Sequence, residues 1–306
     1  MDREQKDMQF LGLFDIYLES YKIIFNFRRI FSKISLAFIL PLSLIFLANI
    51  AVSDSLSSDG ATFWLVEFIY LTFFLVFSIL STSAVVYTMA SVYTGYDVTF
   101  GKVISVIPKV WKRLMVTFLC AFLVIFYCNV VLVDPIILWR KIIKHVDMNS
   151  LVFFRAFVIL YVVVIVHMTV VWWLASIVSV LEDIKGIKAM TKSGNLIQGK
   201  MWIAIVFLLK LEAAIFGIRK LFKSQVVHTG TFGIAGRFTF GFLCLLMIFS
   251  VFLFGLVIET VIYFVCKSYH NKNINKLSLS DHLDEVFQGE YIPTKANDDQ
   301  LEKIDV

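Results

Sequence analysis

Phe63–Val92 reads FWLVEFIYLTFFLVFSILSTSAVVYTMASV, thirty residues with one charged side chain, Glu67. Hydrocarbon offers no water to backbone N–H and C=O groups, so a segment this apolar satisfies them internally as a helix. About 20 residues cross the hydrocarbon core, so this stretch is longer than one crossing requires and implies tilt or extension past the interface. Five further stretches qualify: Ile34–Val52, Leu114–Leu138, Leu151–Leu181, Met201–Ile218 and Phe238–Val265. The fifth of the six in chain order is the weakest, because Lys210 and Glu212 interrupt it. The expected fold is therefore an all-α polytopic membrane bundle of about six spans. Its expected organisation is an N-terminal segment 1–33, a transmembrane domain 34–265 and a tail 266–306.

The composition agrees. The 306 residues are 59% hydrophobic with mean hydropathy +0.84, and only 17% are charged. A soluble domain carries about a quarter. The first 33 residues hold charges throughout and show no cleavable apolar core, so the first span is expected to act as an uncleaved signal. Cys120, Cys128 and Cys244 lie within apolar runs, where cysteine acts as a small hydrophobe. Cys266, juxtamembrane and followed by Lys267, is a candidate for reversible palmitoylation, with a structural thiol as the alternative.

The basic residues set an expected orientation. The N-terminal segment carries Arg3, Lys6, Lys22, Arg28, Arg29 and Lys33, and the first loop carries none. The later loops carry four each and the tail five. With both termini cytosolic, nineteen cations face inward and eight outward. The net charge of +5, placed beside the spans, points to anionic lipid headgroups at the cytosolic face rather than to nucleic acid.

Three segments outside the spans have helical amphipathic periods. In the first, Asp15, Glu19, Lys22, Asn26, Arg29 and Lys33 form a polar stripe, and Leu11, Phe14, Leu18, Tyr21 and Phe25 line an apolar face. The second loop sets Phe100, Val103, Ile104, Ile107, Val110 and Trp111 against Lys102, Ser105, Lys109 and Lys112. The fourth sets Val180, Ile184, Ile187, Met190 and Ile197 against Lys185, Lys188, Lys192 and Gln198. The last two share a context, since Ser91-Val-Tyr and Ser179-Val-Leu each close a span before a basic helix. This suggests a repeated unit offset by about 88 residues, of the kind found in transporter halves.

The opening Met1-Asp-Arg-Glu-Gln and Met8-Gln-Phe-Leu-Gly-Leu resemble the start of a land-plant family of multispan membrane proteins. Ser81-Thr-Ser-Ala-Val-Val-Tyr, Pro108-Lys-Val-Trp-Lys-Arg-Leu, Val180-Leu-Glu-Asp-Ile-Lys-Gly-Ile-Lys-Ala-Met-Thr-Lys-Ser, Cys266-Lys-Ser-Tyr-His and Asp281-His-Leu extend the resemblance along the chain. Some members of that family are described as partners of a poly(A)-binding protein. The Leu181-Glu-Asp to Gly199 pattern is also similar to bacterial multispan domains, including the membrane domain that precedes a glycerophosphodiester phosphodiesterase. The soluble barrel carrying that chemistry has no counterpart here, so the resemblance implies a membrane module without catalytic residues.

Ionisable residues at membrane depth cost about 2.5–3.5 kcal/mol each on insertion scales. Lys210, Glu212, Glu259 and Glu67 are accordingly the candidate functional charges. Lys210 and Glu212, two residues apart on a helix, cannot pair with each other. Either they find partners on other helices or Lys210 snorkels along its stem. Lone His167 is expected to serve packing, Asp134-Pro135 to mark a helix exit, and Glu182-Asp183 to cap the fourth-loop helix. Gly194 and Gly199 are expected to end that helix. No metal, cofactor or nucleophile–histidine–acid pattern is present in the sequence. The leading functional expectation is a non-enzymatic scaffold, adaptor or lipid-organising protein, with the tail as a docking site for a protein partner. The alternative is a transporter or flippase-like protein working at the interface of the repeat.

Overall fold

The computed structural model describes residues 10–55, 60–95, 98–142, 148–227 and 233–270. The tail docking segment, with Asp281-His282-Leu283, lies outside them. Every regular element among the described residues is helical. Helix α1 spans Leu13–Asn26. The first crossing is α2 (Arg28–Ile34), a π-helical turn (Ser35–Ile39) and α3 (Leu40–Ser55). Pro41 has no N–H to give the carbonyl of Ala37, and the widened turn lies over that gap. The other elements are α4 (Gly60–Thr94), α5 (Phe100–Ile142), α6 (Met148–Leu181), α7 (Ile187–Leu196), α8 (Met201–Phe222) and α9 (Ile234–Tyr269). A second π-helical turn, Lys223–Val227, extends α8.

Six of these helical units are long and apolar enough to cross a membrane, and they coincide with the six apolar stretches of the sequence. The protein is thus an all-α multi-pass bundle. Six crossings bring α1 and the end of α9 to the same end, which also carries α7. Helix α9 packs against α1, α3, α4, α6 and α8 and is the shared wall of the bundle.

Within a bilayer the lipid tails are as apolar as leucine, so helices associate through close packing of small residues and hydroxyls. The Ser81-Thr-Ser-Ala run follows this rule. Ser81, Thr82, Ser83, Ala84, Thr88, Ala90 and Ser91 are all buried in the last third of α4. Ser83, Thr88 and Ser91 return their hydroxyls to the carbonyls of Ile79, Ala84 and Tyr87, so the small side chains bring no unmet donor into the core. The first half of α4 instead turns Trp64, Leu65, Phe68 and Phe73 outward.

Several local expectations are corrected. The amphipathic stretch of the second loop is not a separate surface helix but the first turns of α5, with Val103, Val106, Ile107 and Val110 buried. The 88-residue unit is therefore not repeated as span, surface helix, span: only the connection holding α7 has that form. Asp134-Pro135 does not end its helix, because α5 continues to Ile142. Gly194 lies inside α7, and the glycines that flank α7 are Gly186 and Gly199, both at positive φ. In α1 the row Phe14, Leu18, Tyr21 and Phe25 faces away from the bundle, while Ile16, Ser20 and Ile23 are buried against it. The helix thus has two apolar rows, one packed and one outward.

Gly199 has φ of 91°, and a Cβ there would come within 2.5 Å of the Tyr269 ring. Left-handed backbone costs about 1–2 kcal/mol for a residue with a Cβ, before any clash. Gly199→Ala is expected to lower the detergent-solubilised melting temperature clearly, whereas Gly217→Ala, whose Cβ meets nothing within 4 Å, should not. Equal melting of the two variants would contradict the packing of Tyr269 on this turn.

Candidate functional site

Two constellations of polar groups stand out. The first is at the α7 end, in the turn from α6 into α7. Glu182 Oε1 accepts hydrogen bonds from Tyr263 Oη at 3.0 Å and Lys267 Nζ at 3.2 Å, both on α9. Its Oε2 pairs with Lys192 of α7. Next to it Asp183 pairs with Arg113 of α5. Thr117 of α5 meets the hydroxyl of Ser179 at 2.7 Å and accepts the backbone N–H of Gly186 at 2.9 Å. Ser193 of α7 donates to the carbonyl of Val171 in α6. Glu182-Asp183 therefore does not cap α7, which starts four residues later. It ties the α6–α7 connection to α5, α7 and α9. Burial pushes the Glu182 carboxyl up, but the hydrogen bond and charge of Lys192, the charge of Lys267 and the Tyr263 hydroxyl outweigh it and hold the group below its ordinary value.

The second constellation is inside the bundle. A cavity of about 200 Å³ is lined by residues from all six crossings. Two acidic residues are among its lining: Glu259 of α9, half-buried, and Glu212 of α8, exposed on its other side. Aromatic side chains form much of the remaining wall: Phe74 of α4, Phe118 of α5, Trp172 and Trp173 of α6, and Phe252 of α9. Phe118 and Trp172 meet edge to face at 5.3 Å. Ser78, Ser81, Thr82 and Ser176 complete the lining, with the hydroxyls of Ser81 and Ser176 returned to the carbonyls of Phe77 and Trp173.

Glu259 lies ten residues before the end of α9, or about 15 Å along the axis at 1.5 Å per residue. Glu212, eleven residues into α8, is about as deep from the same end. Among the described residues no hydrogen bond or ion pair reaches the Glu259 carboxyl. The buried Trp172 Nε1 likewise has no acceptor among them.

The four charges singled out from sequence are not one cluster. Glu212 and Glu259 share the cavity, and Lys210 and Glu67 do not line it. Lys210 is exposed and lies 5.6 Å over the ring of Tyr17, so it holds α1 to α8 rather than pairing with an acid. Tyr17 also meets Phe207 of α8 edge to face, which strengthens the same contact. Glu67 sits near the start of α4, at the opposite end from α7, within electrostatic reach of Tyr70 together with Arg219. Cys266 is completely buried against the core, so an acyl donor cannot reach it. Helix α9 continues to Tyr269 and keeps that face inside. His167 is half-buried in α6. Sequence reasoning missed the cavity aromatics and the Glu182 network. The available signal was Tyr263 and Lys267 one helical turn apart, opposite an acidic pair between two spans.

A family model with the description Domain of unknown function (DUF8558) matches residues 1–59 and 51–304. No curated protein and no solved structure matches the chain.

Because the folded Glu182 value is depressed, the unfolded chain binds more protons at low pH. Its contribution is present above the ordinary carboxylate value of 4.5 and is lost as pH falls through the lower folded value. Removing one partner of such a buried pair costs about 3 kcal/mol. Glu182→Ala is expected to lower the melting temperature at pH 7 and to remove this part of the acid-side decline. A variant that melts like the parent at pH 7 would show that the network does not hold the connection.

Proposed function

The chain belongs to the family described as Domain of unknown function (DUF8558), and for this member we propose a non-enzymatic membrane protein that binds an organic cation in its central cavity and carries it across the bilayer. The observation that carries this reading is the Glu259 carboxyl, within the last span and lining the cavity with no cationic partner among the described residues. An ionised group in that setting is costly until a cation joins it. The aromatic walls fit the same class of occupant, because ring faces attract ammonium groups and favour quaternary ammonium in particular. Glu212 supplies a second acid on the facing helix. The Trp172 N–H, without an acceptor among the described residues, offers a donor to an oxygen on the same molecule. The largely apolar lining selects a cation with a hydrophobic body.

Carriers commonly hold substrate within the membrane at the meeting of several helices, and a cavity lined by all six crossings fits that placement. The excess of Lys and Arg in the N-terminal segment, the second and fourth loops and the tail supports both termini on the cytosolic side. A second reading, a scaffold that organises lipid at the cytosolic face, is supported by the outward row Phe14, Leu18, Tyr21 and Phe25 on α1. That row stands beside Lys22, Arg28 and Arg29, an arrangement suited to anionic headgroups.

The test uses phenyltrimethylammonium and its uncharged isostere tert-butylbenzene, with the fluorescence of the cavity tryptophans as readout. The cation is expected to bind saturably and the isostere weakly. A charged hydrogen-bonding or ion-pair partner is worth about 1.5–3 kcal/mol, so Glu259→Gln should weaken the cation by about tenfold or more. In proteoliposomes the parent should exchange the cation across the membrane and Glu259→Gln should not. Equal affinity for cation and isostere, unchanged by Glu259→Gln, would rule out the carrier and leave the surface reading.

A further inference from the structure

A second cavity lies at the end of the bundle opposite α7, and neither the central site nor the Glu182 network uses it. It is an open groove of about 680 Å³ between α3, the end of α8 and the start of α9. Leu47 and Phe222 are buried and form the floor. Leu44, Phe238 and Phe242 are exposed and form the walls. On α9 the groove runs from Arg237 to Leu245, eight residues or about 12 Å along the helix. On α3 it runs from Ala51 inward to Leu44, about 10 Å. It therefore begins at the bundle end and runs inward for a length comparable to one leaflet, half the hydrocarbon core being about 15 Å.

Among the described residues that line the groove, Arg237 alone carries a charge, and it stands at the mouth. Arg237 is half-buried, and its guanidinium has no acceptor among the described residues. A lone cation above a channel of hydrocarbon side chains matches an amphiphile with a phosphate at one end and a chain at the other. Guanidinium and phosphate are complementary in shape and charge, and can share two parallel hydrogen bonds. We propose that this groove is a specific glycerophospholipid site, with the phosphate on Arg237 and one acyl chain between α3 and α9. The lipid is drawn from the leaflet bordering this end of the bundle.

Gly241 provides a clean way to close the site. It lies in the lining of the groove, and a Cβ added there meets nothing within 4 Å. A larger side chain at 241 therefore starts into open space and is placed to fill the groove. The experiment reconstitutes the full chain in vesicles containing a phosphatidylcholine with a diazirine near the end of one acyl chain, then maps the photolabel by peptide mass spectrometry. Label is expected to concentrate on Leu44–Ala51 and Phe238–Leu245. Gly241→Leu should reduce it there by about tenfold while leaving the melting temperature unchanged. Arg237→Gln should reduce it by about tenfold, the equivalent of one charged hydrogen bond, and Arg237→Lys should restore part of it. Label at this groove no denser than on the outward residues Leu119, Phe122 and Phe126 of α5, and insensitive to both Gly241→Leu and Arg237→Gln, would show ordinary annular lipid and overturn the proposal. Because the groove and the central cavity share no residue, the phenyltrimethylammonium result is independent of this one.

Discussion

The carboxylate of Glu182 is the constraint on which one end of the bundle depends. The connection leaving α6 has to turn sharply, carry α7 back onto the bundle and deliver the chain into α8. A turn at the membrane boundary exposes backbone and polar side chains to a medium that satisfies them unevenly. Glu182 answers this by taking Lys192 from the helix that follows and Tyr263 with Lys267 from the helix that closes the fold. Asp183 and Arg113 repeat the device toward α5. Each of these charges would be a penalty alone, and together they outweigh the burial of the acid.

That end is tightly packed and the middle is not. Small residues and back-bonded hydroxyls let α4 approach its neighbours closely over its last third, and α9 serves as the common partner. Deeper in the bundle the helices instead part around large aromatics and two acids. The same α9 thus contributes a satisfied pair, Tyr263 and Lys267, at its end and, one to two turns deeper, a Glu259 with no partner among the described residues. A helix that is fixed at its end and costly in its middle is suited to accepting a charged occupant there, which is the physical basis of the proposed carrier role.

Lys210 illustrates how a charge in an apolar run can be structural. Its stem follows α8 and its ammonium ends over Tyr17, so α1 is attached by an aromatic contact as well as by Ile16 and Ile23. Having met that requirement with one face, α1 is free to present Phe14, Leu18, Tyr21 and Phe25 outward.

The sequence alone determined the class of fold, because hydrocarbon leaves a long apolar segment no option other than a helix, and six such segments can be counted directly. It also located Glu212 and Glu259 as anomalies, since a charge at depth is conspicuous against leucine and phenylalanine. Periodicity could not decide whether Phe100–Lys112 was a surface helix or the start of a span, because both have the same period; the tertiary structure settled it as part of α5. Nor could spacing reveal that Glu182 meets Lys267, eighty-five residues away, or that Glu212 and Glu259 face the same cavity while Lys210 and Glu67 do not. Those outcomes depend on the rotation of each helix about its own axis, and that rotation is set only when all six pack together.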